Sequence, residues 1–237
     1  MATSLSTDYS VTRDNVIYRA LRVIGVTSQG ETPDATQISE AATAFNGLVK
    51  ALSFDGMPLW GIKDTTITPV ASTRSYRMGT GQTVDIAKPL KVINAYYRTT
   101  SSNVDVPLVI ITRDEYNRLS SKFVEGTPSQ VYFDPQRIYT DMFVYPVPTT
   151  AWAAANTIII TYQRTFDDVD AASDEPDFPI EWFDALTFML ADRLAPEYGV
   201  NEEHRMDVQK RAMQYRAEAL SGGTEEGSFY FSLDRNR

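Results

Sequence analysis

Hydrophobic positions recur at helical spacing at both ends of the chain and at strand spacing in between. Val16, Ile17, Ala20, Leu21 and Ile24 fall on one face, which predicts an amphipathic helix over 14–24, with Asp14 as its cap and Gly25 at its end. Residues 27–33 have turn chemistry. Asp34 and Gln37 then stand at capping-box spacing, where each side chain can satisfy a free backbone N–H. Ile38, Ala41, Ala42, Phe45, Leu48, Val49 and Leu52 follow as one apolar stripe, and Asp55-Gly56-Met57-Pro58 stops it. Such a stripe must pack against other helices.

From about residue 60 the period shifts from 3.6 toward 2. Segments 65–68, 73–77, 90–97, 106–109, 130–133, 137–139, 142–145 and 157–162 are short and rich in Thr, Val, Ile and Tyr, the composition of strands. Thr112 caps a short helix over 113–120, and Pro146 and Pro148 close a strand, since proline cannot donate to a ladder. A mostly antiparallel sheet or small sandwich is expected.

Helical spacing returns after residue 177. Pro179 suits a first helical turn, and Phe183, Leu186, Leu190 and Leu194 form a stripe flanked by Trp182, Ala185 and Met189. Gly199 ends that helix, Asn201 caps the next, and Val208, Ala212, Tyr215 and Ala219 carry it to about Leu220. The expected fold class is α+β: a discontinuous helical bundle from both chain ends, a central β-rich insertion and an extended C-terminal tail. The expected limits are 1–11 for a flexible arm, 12–58 with 176–222 for the helical body, 59–175 for the insertion and 223–237 for the tail.

Composition narrows the chemistry. The 237 residues are 43% hydrophobic and 22% charged, as in ordinary folded domains. There are no cysteines, which excludes disulfides, thiolate metal sites and a cysteine nucleophile. No run of about 18 apolar residues is present to span a membrane, and residues 1–10 lack the apolar core of a signal peptide. The net charge of −9 argues against a grip on phosphates. It gives solubility, and it suits a wall past which DNA slides.

Catalytic patterns are missing. His204 is the single histidine, near a helix start, and is read as a solvated surface residue. Gly79-Thr80-Gly81 lacks the third glycine of a dinucleotide site and reads as a hairpin turn. Asp167, Asp168, Asp170, Asp174, Glu175 and Asp177 lack the calcium-loop pattern and read as a solvated acidic linker. Arg205, Lys210, Arg211 and Arg216 are interleaved with Asp207 and Glu218, which suits intersubunit ion pairs or solvation. No catalytic, cofactor-binding or metal-binding residue is assigned, and no cofactor is expected. The tail carries Phe229-Tyr230-Phe231 after Gly222-Gly223; such a segment folds back on its own domain or fills a partner's groove.

Over 14–220 the chain resembles the head-to-tail adaptor (connector) proteins of short-tailed bacteriophages, the group of tail tubular protein A and the packaged-DNA stabilisation protein. The resemblance is carried by 20–26, 30–33, Phe45-Asn46-Gly47-Leu48, Asp55-Gly56 with Leu59-Trp60, 144–148, Pro179 through Ala191, Leu194 and Tyr198-Gly199. It implies a non-enzymatic ring of twelve copies between the portal protein and the tail nozzle or tail tube. That ring extends the channel for double-stranded DNA without sequence-specific binding and helps retain the genome. The implied location is the virion head-tail junction, and the host cytoplasm during assembly. Implied portal-docking residues are Phe229, Tyr230, Phe231, Leu233, Arg235 and Arg237. Two other functions stay open: a tail-tube or baseplate component, and a tail-borne cell-wall hydrolase, which needs an acid/base pair in a cleft.

Overall fold

The structure, a computed structural model, describes residues 9–54 and 59–222. The fold is α+β, with helices from both ends of the chain flanking a β-rich middle. The chain divides into two compact units, with the boundaries after residue 51 and after residue 166.

The helical unit contains α1 (Arg13–Val23), most of α2 (Ala35–Phe54), α5 (Phe183–Leu194) and α6 (Glu202–Gly222). Helix α5 is the centre, packed against both α1 and α6. It is buried on more than one side, because Leu186, Leu190, Ala191 and Leu194 are all nearly inaccessible. Phe45 of α2 and Ile17 and Leu21 of α1 are likewise fully enclosed. The expected stripes are therefore the core. Helix α2 begins with the anticipated box: the Asp34 N–H donates to Gln37 Oε1 at 3.0 Å, and the Gln37 N–H donates to Asp34 Oδ1 at 2.9 Å. Asn201 caps α6 by accepting from the His204 N–H at 2.8 Å. Between α5 and α6, Gly199 takes a positive φ of 63° that a β-carbon would strain.

Two helix starts differ from expectation. Asp14 lies inside the first turn of α1, and Thr12 at the N-cap makes no side-chain bond. The free N–H groups of Arg13 and Asp14 donate instead to the carbonyls of Asp174 and Ala172, at 2.8 and 3.4 Å. Pro179 precedes a 3-10 turn, Ile180–Trp182, that leads directly into α5. Its missing N–H is harmless there for the anticipated reason.

The β unit is a sandwich of two four-stranded sheets. One has the order β1 (Ile62–Ile67), β10 (Asn156–Gln163), β3 (Lys91–Thr99), β4 (Val104–Pro107), all antiparallel. The other has the order β2 (Ser75–Met78), β8 (Thr140–Tyr145), β7 (Gln130–Pro135), β5 (Val109–Ile111). Its β5–β7 pair is parallel. Alternate residues turn inward: Ile158, Ile160 and Tyr162 from β10 meet Tyr76, Met78, Met142 and Val144 in one core. A smaller aromatic cluster joins Tyr116 of α3 (Arg113–Arg118) to Tyr132 and Phe143, with ring centroids 5.0 and 5.3 Å away. Segment 137–139, expected as a strand, is the turn between β7 and β8. Strand β8 stops before Pro146, but Val147–Pro148 resumes as β9, paired with β6 (Glu125–Gly126).

Thr112 caps α3 with a full capping box: its hydroxyl accepts from the Glu115 N–H, and the Glu115 carboxylate accepts from the Thr112 N–H at 2.7 Å. That backbone bond is the main reason the Glu115 carboxyl sits below its ordinary range. Thr112→Ala is expected to cost about 1 kcal/mol, measured by urea unfolding. A loss under about 0.3 kcal/mol would show that the aromatic cluster alone fixes α3.

Tyr76 is fully buried, and its hydroxyl accepts from the Val70 N–H at 2.9 Å. Burial pushes its pKa above the ordinary 10.0, as it does for Tyr116 and Tyr162. A raised folded pKa means that the neutral phenol is the form the fold retains. The contribution is complete below the ordinary pKa and is lost as pH rises through the folded one. The urea midpoint is therefore expected to fall between about pH 9 and pH 11, and less steeply in Tyr76→Phe. Equal slopes in the two proteins would remove Tyr76 from the account.

Candidate interaction surfaces

The acidic stretch is a strap packed on the helical unit. Val169 within it is almost inaccessible. Asn46 of α2 holds its backbone from both sides: the Val169 N–H donates to Asn46 Oδ1 at 2.9 Å, and Asn46 Nδ2 donates to the Val169 carbonyl at 3.3 Å. Arg13 donates to the Asp170 carbonyl, and Lys50 pairs with Asp168 at 2.8 Å. Two of the six carboxylates serve the strap's own turns: Asp174 accepts from the N–H groups of Asp170 and Ala171, and Asp177 accepts from that of Asp167. Asp167, Asp168, Asp170 and Glu175 are exposed, as a solvated stretch requires, but the backbone at Val169 is packed, so the segment is not a free linker. Residues 167–175, expected within the insertion, lie in the helical unit because they complete the start of α1. Among the described residues no group of three or more His, Asp or Glu could hold a metal ion.

His204 is also structural. It is half-buried, and its Nε2 lies 2.8 Å from the Val23 carbonyl at the end of α1. Nε2 must carry the proton to donate there, and the bond satisfies one of the carbonyls a helix end leaves open. The expectation of a solvated histidine is corrected accordingly. Gly79-Thr80-Gly81 forms a turn, closed by the Gln82 N–H on the Gly79 carbonyl at 3.0 Å, with Gly81 at φ 70°.

Helix α6 presents a mixed outer face. Met206 and Met213 are exposed, one heptad apart, with Lys210 between them. Two of its basic residues meet acids on the same helix: Arg211 with Asp207 at 3.0 Å and Arg205 with Glu202 at 3.9 Å. Local pairing of this kind leaves less positive charge for phosphates.

On the β unit, Phe123 is 72% exposed, and the Arg74 guanidinium lies 4.6 Å from its ring centroid. Val109 and Ile110 stand exposed on edge strand β5. Edge strand β4 carries Asp105, which forks with Arg98 at 2.6 and 2.7 Å, and Pro107, which cannot donate. The Arg98 bond holds the Asp105 carboxyl below its usual range. Charge and proline on an edge discourage strand addition.

An apolar groove indents the helical unit. Val11 and Val16, strap residues Pro176 and Phe178, and Ile180 with Phe183 form most of its walls, around a cavity of about 130 Å³. No local pattern groups these residues, because they come from two stretches far apart in sequence, 9–16 and 176–186. The tail candidates Phe229, Tyr230, Phe231, Leu233, Arg235 and Arg237 lie outside the described residues. Among the described residues no helix is long and apolar enough to cross a membrane. The chain matches no protein-family model and no curated protein sequence.

Proposed function

We propose that the protein is a structural head-to-tail adaptor of a tailed phage, a ring component between portal and tail that does no covalent chemistry. One observation carries the reading. The segments in which the chain resembles that family include those that hold its helical unit together. Asn46 pins the strap, a β-carbon at Gly47 would lie 3.6 Å from the Arg193 guanidinium, 20–26 ends α1, and 179–191 forms the start and centre of α5. A helical unit built from both chain ends, with a β sandwich inserted, has the division such a ring element needs. One part can pack with copies of itself while the other meets a neighbour along the axis. The exposed Met206 and Met213 and the exposed Phe123 are apolar features suited to such contacts.

The test is electron microscopy of the protein mixed with purified portal. A ring of this protein docked under the portal is expected. Deletion of 224–237 is expected to leave a folded protein that no longer cosediments with portal-containing heads. Absence of a docked ring with both proteins folded would end the adaptor reading. Stacked rings of the protein alone would point instead to a tail-tube component.

A further inference from the structure

We propose that in the free chain the C-terminal segment 228–233 folds back and seats a phenylalanine ring in the apolar groove of its own helical unit. The groove is of ring size: its cavity is about 130 Å³, and an apolar cavity of about 150 Å³ takes a benzene molecule. Most of its walls are the apolar side chains of Val11, Val16, Phe178, Ile180, Phe183 and Leu186, joined by Tyr9 and Ser10, with no charged group among the lining residues. An uncharged, ring-sized group is therefore the fitting occupant, and a charged ligand is not.

The chain brings such rings to the right end of the unit. Helix α6 returns antiparallel along α5, with Phe188 and Tyr215 in ring contact at 5.0 Å. At ~1.5 Å per residue, the end of α6 then comes level with the start of α5. Consistently, α6 packs against the 3-10 turn that holds Ile180. Phe229 lies seven positions beyond Gly222. Extended, that stretch reaches roughly 23–25 Å, more than the ~10–12 Å needed to pass one helix. In an extended segment Phe229 and Phe231 share a side and Tyr230 takes the other. A short tether keeps the ring at an effective concentration on the order of millimolar, so even a weak seat is filled.

This inference concerns the chain before any partner binds, and its failure leaves the adaptor reading intact. The test is hydrogen–deuterium exchange on the full chain without portal, with sedimentation to report mass. Amides of 176–183 are expected to exchange about tenfold faster in Phe229→Ala/Phe231→Ala than in the parent. Ile180→Asp, at a groove position already 39% exposed, is expected to accelerate exchange in 228–233. Unchanged rates in both variants would overturn the proposal. So would acceleration on deleting 1–8 with none from the tail substitutions, which would make the N-terminal segment the occupant. Protection that disappears on dilution together with a dimer mass would assign the groove to the tail of a second copy, which also overturns it.

Discussion

Phe45→Ala is expected to lower the stability of the helical unit by about 3–5 kcal/mol. The side chain is fully enclosed, on α2, beside the residue that pins the strap. Truncation removes the transfer free energy of a benzyl group and leaves a cavity that close-packed helices only partly fill. Against a total stability of about 5–15 kcal/mol, that loss would partly unfold the unit at growth temperatures. Helical ellipticity under urea measures it. Phe54→Ala, on the same helix but 74% exposed, is the control, expected within about 0.5 kcal/mol of the parent. Similar midpoints for the two variants would mean that α2 is not a core helix.

The same contrast shows what the sequence discloses. The α2 stripe and its box were legible because capping and helical periodicity act over three to seven residues. The Thr112 box was legible for the same reason. Helix α4 (Thr150–Ala155) leaves no helical periodicity in the sequence, although Thr149 accepts from the Trp152 N–H and the run Ala151 to Ala155 favours helix. It is a short turn between strong strand signals, and it persists because Trp152 packs edge-on to Tyr97 of β3. The parallel pairing of β5 with β7 depends on residues about twenty apart, which no local pattern specifies. His204 misled in the same way: its neighbours in sequence are charged, while its partner is the Val23 carbonyl, 181 positions away. The groove belongs to this class too, since its walls meet only after folding.

The acidic strap gives the second large effect. Six acids within eleven residues suggested solvation, yet the strap is held mainly through its backbone, which composition does not reveal. Asn46→Ala leaves the Val169 N–H and carbonyl without their side-chain partner, and Val169 itself is almost inaccessible. An unsatisfied buried group costs about 1–3 kcal/mol, so the pair is expected to cost about 2–4 kcal/mol unless water enters. Lys50→Ala removes the Lys50–Asp168 ion pair, whose side chains are 41% and 55% exposed. That change is expected to cost less than about 1 kcal/mol. Asn46→Asp keeps an acceptor for the Val169 N–H but sets a negative carboxylate against the Val169 carbonyl, so it should fall between the two. The ordering Ala, Asp, then Lys50→Ala, from most to least damaging, is measurable by urea unfolding. Amide exchange over 167–178 should speed most in Asn46→Ala. Because Pro176 and Phe178 of the same strap wall the groove, that variant should also widen it. An Asn46→Ala protein as stable as Lys50→Ala would show that the strap is held by its charges after all.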